Sequence, residues 1–286
     1  MLSVEREVKV EIRVKRQSGI IESRATIMKE LTRRELLNQG AGLAGSAALG
    51  LPLLGALDAA QAGAASSKRK LKVVVAGAHP DDPETGCGGT IARYSDLGHE
   101  VVVLYLTRGE RGIKGKSYDE AGKIRTAEAE KACEILKARP VFAGQVNGKV
   151  EVTYARYDEF RKVLEAEKPD LVYTHWPIDT HEDHRATALL TYDAWLRNQK
   201  SFALYFFEVM TGEQSSHFWP THYVDITATE ERKREACYAH ASQGPDDFYR
   251  IHSEMNSFRG HECGCRFAEA FIRHVQSPDD SLPEAG

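Results

Sequence analysis

The chain has 286 residues, of which 42% are hydrophobic and 28% are charged. These proportions are ordinary for a globular protein and allow one sizeable hydrophobic core. The net charge of -4 argues against the basic surface with which proteins bind nucleic acid or anionic membranes. The 5 cysteines are an odd number in a chain too long to need covalent stapling, so no disulfide framework is expected.

The N-terminal region has the pattern of an export signal. Arg33 and Arg34 precede a mildly apolar, Gly/Ala/Leu-rich run over residues 41–57, which is the order of a twin-arginine signal peptide. The small-x-small pattern Ala60-Gln61-Ala62 predicts cleavage after Ala62. We therefore expect a signal peptide over residues 28–62, a flexible linker over 63–70, and a mature protein that is periplasmic or secreted.

The same region allows one alternative. The apolar run would be a single membrane anchor if it were long enough, but it is short and broken by Pro52, whereas a span requires about 20 strongly apolar residues. Residues 1–27 precede Met28, which would be the natural first residue of such a leader. We interpret residues 1–27 as an upstream extension from a misassigned start site.

Strand and helix patterns alternate after residue 70. Apolar and β-branched runs predict strands at 71–78, 100–106 and 171–174, with weaker strand patterns at 203–209 and 221–227. Helices are expected at 88–97, 120–137, 157–167, 183–196, 230–240 and 246–258. This alternation predicts an α/β fold with a Rossmann-like, mostly parallel sheet and helices on both faces. One domain is expected over 71–275, followed by a flexible tail over 276–286.

In a sheet of this kind, ligands bind beyond the carboxyl ends of the strands. We therefore expect three polar loops, at 79–90, 107–117 and 175–184, to meet at one rim. The first loop contains Gly86, Gly88 and Gly89, which lack the Gly-x-Gly-x-x-Gly spacing of a dinucleotide-binding loop. We interpret them as glycines that let the chain turn beside the site.

Two of these loops carry side chains that bind metals. His79, Asp81 and Asp82 follow the first strand, while His181 and His184 stand three residues apart at the start of a helix. Imidazole and carboxylate groups suit zinc, and a catalytic zinc site typically has three protein ligands and one position open for water. Each cluster alone is a weak signal. Together, at the carboxyl ends of two strands, they predict a metal site with a His/Asp/His ligand set.

The combination of His79-Pro80-Asp81-Asp82 with His181-x-x-His184 resembles the PIG-L (LmbE-like) family of de-N-acetylases. The resemblance covers most of residues 71–275 and extends through Thr107-Arg108-Gly109-Glu110, Arg125-x-x-Glu128, Arg259-Gly260 and Ala268-Glu269-Ala270-Phe271. It implies a zinc-dependent hydrolase that removes the acetyl group from an N-acetylated amino sugar of the N-acetylglucosamine type. Some members of the family complete the sugar pocket from a neighbouring subunit, so a homo-oligomer is also to be considered.

The resemblance also implies roles for individual residues. His79, Asp82 and His184 are expected to hold the Zn2+ ion. Asp81 is expected to act as general base, and His181 to stabilise the developing oxyanion. These roles agree with the chemistry, because a metal-activated water needs a base to take its proton and the tetrahedral oxygen needs a donor.

Several residues near the motifs have open roles. The family pattern places a glutamate directly after the two aspartates, whereas here Pro83 comes before Glu84, so the role of Glu84 is left open. Asp183 or Asp179 is placed to orient an imidazole. Cys87 is close enough to the motif to be a ligand, although a packing role is favoured because better ligands are present.

Arg108 and Glu110 lie in a loop at the expected rim. They are candidate substrate-binding residues, and a surface salt bridge is the equally weighted alternative. For the whole protein, the alternatives are a zinc esterase or amidase that acts on another acyl group, and a non-catalytic metal-containing sugar-binding module. The presence of Asp81 and His181 argues against the latter, because a structural metal site needs neither. The particular sugar stays open, although export favours an external glycan fragment.

Overall fold

A computed structural model describes residues 69–278 of the chain. The predicted upstream extension, signal peptide and cleavage site, most of the linker and most of the tail lie outside the described residues. Within the described range, no helix combines the length and apolar character that crossing a membrane requires.

The described residues form a seven-stranded sheet and six α-helices. The strands are β1 (Lys72–Gly77), β2 (Glu100–Thr107), β3 (Arg139–Gln145), β4 (Leu171–His175), β5 (Ala203–Phe207), β6 (His222–Asp225) and β7 (Ala268–Arg273). The helices are α1 (Asp82–Asp96), α2 (Tyr118–Leu136), α3 (Tyr154–Glu167), α4 (Glu182–Arg197), α5 (Glu230–Tyr238) and α6 (Pro245–Cys263). A 3-10 turn at Ala241–Gln243 lies between α5 and α6.

The strand order is β3-β2-β1-β4-β5-β7-β6. The first five of these strands are parallel, and β7 runs antiparallel to both β5 and β6. The mostly parallel, Rossmann-like α/β fold predicted from the sequence is confirmed. From β1 the chain builds outward to β2 and β3 on one side, and then returns to place β4 and β5 on the other, so a topological switch point lies between β1 and β4.

The core has two layers because β1 is buried on both faces. Val73 and Val75 pack into one cluster with residues of α1, α2 and α5, while Val74 and Ala76 pack into a second cluster with residues of α3 and α4. This is the reason that β1 reads as a continuous apolar run rather than an alternating one. The helices thus cover both faces of the sheet and leave the carboxyl ends of the strands for the site.

The first loop is shorter than predicted. Helix α1 begins at Asp82, six residues before the predicted start at Gly88, so the interpretation of Gly86, Gly88 and Gly89 as turn-forming residues is wrong. All three lie inside α1. A Cβ atom at Gly88 would come within 2.9 Å of the Lys233 side chain, and one at Gly89 within 2.6 Å of Ile226. These glycines allow close packing of α1 against its neighbours, which outweighs their low helix propensity.

Candidate active site

The predicted motifs meet at the switch point. His79 lies just beyond β1, and Asp82 is the first residue of α1. His181 is the N-cap of α4, and His184 lies in its first turn, after the loop that follows β4. Because β1 and β4 are adjacent parallel strands, their carboxyl ends bring these four side chains into one cluster, in which His181 is half-buried and the other three are buried.

Asp82 lies between two of the histidines. Its Oδ2 atom is 3.2 Å from Nδ1 of His79, and its Oδ1 atom is 3.2 Å from Nε2 of His184. All three side chains are buried. Two overlapping groups of three residues bring one ligand atom each to within 4.8 Å of one another: His79/His181/His184 and Asp82/His175/His184. The predicted ligand set of His79, Asp82 and His184 takes its members from both groups but is not itself one of them, so it stays a prediction.

Each of the two histidines is oriented by a second carboxylate. Nε2 of His79 is 3.0 Å from Oδ2 of Asp183, and Nδ1 of His184 is 3.2 Å from Oδ1 of Asp179. An imidazole that donates one N–H to a carboxylate presents its other nitrogen as a ligand, which is the usual arrangement in zinc sites. Nδ1 of His79 and Nε2 of His184 are therefore the nitrogens that face Asp82. The sequence offered Asp183 and Asp179 as alternatives. In the structure Asp183 orients His79 and Asp179 orients His184.

The spacing of each Asp82–histidine pair is compatible with binding of a metal ion such as zinc. Ligand atoms 2.0–2.1 Å from a tetrahedral zinc are separated by about 3.3 Å, which is close to the 3.2 Å between Asp82 and each histidine nitrogen. The cluster also favours positive charge. Burial opposes protonation of His184, but Asp82 and Asp179 raise its pKa to about 10. Burial likewise opposes charge on Asp82, yet the neighbouring His184 and His175 hold its pKa well below the usual range.

Asp81 has an unusual backbone. Its φ of 112° lies in the left-handed region, which non-glycine residues rarely adopt and which is often found at functional sites. The N–H of Asp81 donates to Oε2 of Glu84 at 3.1 Å, and its carbonyl accepts from the N–H of Thr85 at 2.9 Å. Glu84, whose role the sequence left open, is fully buried and thus helps hold Asp81 in this conformation despite the intervening Pro83.

The Asp81 side chain is distinct from that of its neighbour. Its Oδ2 atom accepts from Arg125 at 2.6 Å, and 22% of the side chain is exposed, so the carboxylate reaches the cavity rather than the buried cluster. Burial raises the pKa of this carboxyl above its ordinary range, although the Arg125 guanidinium acts in the opposite direction. A carboxylate of raised pKa beside a cavity is suited to accept a proton.

His181 is held with one nitrogen toward the cluster. Its Nδ1 atom accepts the main-chain N–H of Asp183 at 3.2 Å, so the ring proton of the neutral imidazole is on Nε2. The ring centroid lies 4.6 Å from that of His184 and 4.7 Å from that of His79. Burial, together with these two rings, lowers the pKa of His181. A neutral ring with its N–H facing the site can donate a hydrogen bond there.

Arg108 and Glu110 lie apart from this cluster. Nε of Arg108 is 3.4 Å from Oε1 of Glu110, and Oε2 of Glu110 accepts the main-chain N–H of Asn147 at 3.0 Å. Neither residue is among those that line the cavity in the described part of the chain. Their role in substrate binding stays a prediction. Cys87 is fully buried in the hydrophobic core within α1, which agrees with a packing role.

Two residues of the site were missed by the sequence reasoning. His175, the last residue of β4, stacks on His184 with centroids 4.1 Å apart, and its Nε2 atom accepts the main-chain N–H of Ala78 at 3.0 Å. That hydrogen bond engages Nε2, so we interpret His175 as a support for His184 rather than a ligand. Asn147 donates to Asp183 at 2.9 Å. The position of His175 at the carboxyl end of a strand was the available signal.

A cavity of about 240 Å³ opens beside the cluster. Its lining includes both predicted catalytic side chains and the predicted metal ligands: His79, Asp81, Asp82, His181 and His184. The fold and this site define an α/β protein with a candidate metal centre at a topological switch point.

Comparison with known proteins identifies the family. The PIG-L family, described as GlcNAc-PI de-N-acetylase, matches residues 74–195. The diacetylchitobiose deacetylase of Thermococcus kodakarensis is 31% identical over 232 residues, which cover 71% of this chain and 85% of that protein. The chain belongs to the PIG-L (LmbE-like) family of deacetylases.

Two further relatives agree with this assignment. The N,N'-diacetylchitobiose deacetylase of Pyrococcus horikoshii has a solved structure with a TM-score of 0.63 and 27% identity, covering 71% of this chain and 84% of that one. A 1D-myo-inositol 2-acetamido-2-deoxy-alpha-D-glucopyranoside deacetylase of Saccharopolyspora erythraea is 37% identical over 75 residues, or 23% of this chain and 25% of that protein. The names of all three relatives describe deacetylases.

Proposed function

We propose that this protein is a zinc-dependent hydrolase that removes the acetyl group from the nitrogen of an N-acetylated amino sugar. The observation that carries the proposal is the position of Asp82 between His79 and His184, beside a cavity that Asp81 and His181 also line. The deacetylase names of the relatives support the reaction class, and their substrate names support an N-acetylglucosamine-type substrate, as a glycoside or oligosaccharide.

His79, Asp82 and His184 would hold the metal, with Asp183 and Asp179 fixing the two imidazoles. When bound there, zinc supplies a Lewis acid that polarises an amide carbonyl and lowers the pKa of a water ligand. Side chains of the protein carry out the proton transfers, and the walls of the cavity enclose the reacting groups.

Asp81 transfers protons in the proposed reaction, and His181 stabilises the negative charge that develops on the carbonyl oxygen. As water oxygen bonds to the amide carbon, the Asp81 carboxylate takes one proton from the water. The His181 Nε2–H donates a hydrogen bond to the carbonyl oxygen as negative charge develops on it. When the C–N bond breaks, the proton held by Asp81 passes to the departing nitrogen, so the products are acetate and the free amino sugar.

Mutation can show which of the two overlapping groups of residues binds the metal, because His181 belongs to only one group and Asp82 only to the other. We expect His181→Ala to keep one zinc per chain and lose acetate release, whereas Asp82→Ala loses both, since it lacks a ligand. Zinc content by mass spectrometry and acetate release are measured on the same preparations. Loss of zinc from His181→Ala with retention by Asp82→Ala would show that the ligands are His79, His181 and His184 instead.

The substrate class is tested with a panel. Acetate release from N-acetylated mono- and oligosaccharides is compared with hydrolysis of simple esters and of amides that carry other acyl groups. We expect the N-acetylated sugars to give the highest kcat/KM. A preference for another acyl group would support an esterase or amidase, and zinc binding without turnover on any member would support a sugar-binding module.

Export is a separate part of the proposal and is supported by the order of Arg33-Arg34, the apolar run and Ala60-Gln61-Ala62. N-terminal sequencing of the periplasmic or secreted protein should give Gly63 as the first residue. Recovery of an active cytosolic protein that retains Met28 would contradict it.

A further inference from the structure

The cavity has a wall that the proposed reaction does not use. Apart from Thr85 and Gln243, this wall consists of Val209, Met210, Gln214, Phe248 and His252. Three of these five side chains are apolar and two are polar. Binding sites for small molecules commonly combine an apolar surface with a few placed polar groups that fix orientation, and Gln214 and His252 occupy such positions on this wall.

Gln214 is held firmly but has unused hydrogen-bonding capacity. Its N–H donates to the Met210 carbonyl at 2.8 Å, and its own carbonyl accepts from the N–H of Thr180 at 3.1 Å. The next residue, Ser215, donates to Oδ2 of Asp179 at 3.2 Å, which ties this loop to the residue that orients His184. The side-chain Oε1 of Gln214 is nevertheless buried without a hydrogen-bond partner in the described structure. A buried unpaired acceptor is costly unless a ligand pairs it.

His252 is the second polar side chain of this wall. It lies on α6, lines the cavity and is only 2% exposed. Burial, together with the nearby Lys233 charge, lowers the pKa of His252 to about 3, so the ring is neutral and offers one donor and one acceptor.

The cavity wall lacks positive charge. Within the described part of the chain, no lysine or arginine lines the cavity. The nearby buried cations are already paired: Lys233 lies 2.6 Å from Glu269, and Arg259 lies 2.6 Å from Glu208. A phosphate or carboxylate group placed against this wall would have no ionic partner, whereas hydroxyl groups would pair with both Gln214 and His252.

We propose that Gln214 and His252 bind the ring hydroxyl groups of a neutral sugar whose acetamido group faces Asp82, and that Val209, Met210 and Phe248 contact its apolar face. This inference rests on the proposed function and refines it: the substrate carries uncharged hydroxyl groups next to the acetamido group, and these two residues recognise them.

The test compares two substrates on the same preparations. N,N'-diacetylchitobiose carries ring hydroxyls, while 4-nitrophenyl acetate carries an acetyl group on a ring without any. We expect Gln214→Leu and His252→Phe each to lower kcat/KM for the disaccharide by about 10-fold, because each removes one hydrogen bond and leaves a substrate hydroxyl unpaired in a buried site. Hydrolysis of 4-nitrophenyl acetate and zinc content should stay within about 2-fold of wild type, since neither depends on that hydrogen bond.

Gln276→Leu is the matched control, because Gln276 is an exposed glutamine outside the cavity lining whose Oε1 accepts from Lys200 at 2.5 Å. An equal loss on both substrates would overturn the inference and assign Gln214 and His252 a packing role. Unchanged kinetics in both variants, with an active wild type, would overturn it as well. A wild-type protein that hydrolyses the ester but no N-acetylated sugar would instead reject the proposed function on which the inference rests.

Discussion

Replacing Asp81 with asparagine tests whether the two adjacent carboxylates of the motif, Asp81 and Asp82, have different roles. Asp82 lies between His79 and His184, whereas Asp81 reaches the cavity and pairs with Arg125 at 2.6 Å. Asparagine is nearly isosteric with aspartate and leaves the three proposed ligands in place, but it cannot accept the water proton. Asp81→Asn should therefore keep its zinc and lose turnover.

The size of the loss follows from the role. General acid–base catalysis contributes about 10²- to 10⁴-fold, or about 3–5 kcal/mol in the activation free energy, and here one residue serves two proton transfers. KM should change less than kcat, because the lost interaction belongs to the transition state. The fold should be retained, because the raised pKa of Asp81 shows that folding already disfavours its charge, and the asparagine oxygen can still accept a hydrogen bond from Arg125.

The assay is steady-state acetate release, with zinc content and thermal unfolding measured on the same preparation. Asp193→Asn is the control: Asp193 is similarly exposed, at 25% against 22% for Asp81, and lies 2.7 Å from an arginine nitrogen on the same helix. It should retain wild-type kinetics. A folded, zinc-replete Asp81→Asn protein with kcat within a few-fold of wild type would refute the assignment of Asp81 as the base.

Three further outcomes follow from the structure. Asp183→Asn should weaken zinc binding by about 10- to 100-fold without abolishing it, because it orients His79 without ligating the metal; competition with a chelator measures this affinity. Gly89→Ala should lower the free energy of unfolding by about 1–3 kcal/mol in denaturant titrations, because its Cβ atom would come within 2.6 Å of Ile226. Gly98→Ala is the control: nothing lies within 4 Å of a Cβ atom at Gly98, so this variant should show only the strain of its positive φ. Burial lowers the pKa of His252 to about 3, so its contribution to stability is complete above the unfolded value near 6.5 and is lost as the pH falls below it. His252→Gln should flatten the pH dependence of metal-free unfolding between pH 6.5 and 5 by up to about 1.4 kcal/mol per pH unit, and an unchanged slope would contradict this.

The parts of the fold that could be predicted have strong local patterns. The continuous apolar runs of β1, β2 and β4 identify buried parallel strands, and a parallel sheet determines which loops meet. Strand β3 was not predicted, because its sequence contains Pro140 and Gly144 and most of its residues are partly exposed. Such residues are tolerated at a sheet edge, where β3 lies, but they weaken the sequence pattern of a strand.

The metal-binding motif could be recognised from residue types and spacing, but its surroundings could not. Asp179 lies before α4 and orients His184, whereas Asp183 lies in the first turn of α4 and orients His79; spacing alone does not decide which carboxylate contacts which ring. His175 is a single histidine at the end of a strand, and its contact with His184 depends on the path of the loop between β4 and α4, which the sequence pattern does not give. The early start of α1 was hidden by glycines whose role depends on tertiary packing.

The central claim is that one zinc ion at His79, Asp82 and His184 makes this protein a deacetylase. It is tested most directly by adding zinc in steps to the metal-free protein while acetate release from an N-acetylglucosamine oligosaccharide is recorded. The account predicts that activity is absent without metal, rises in proportion to bound zinc, and stops rising at one zinc per chain. Full activity in the metal-free protein, or no acetate release from any N-acetylated sugar when one zinc is bound, would contradict it.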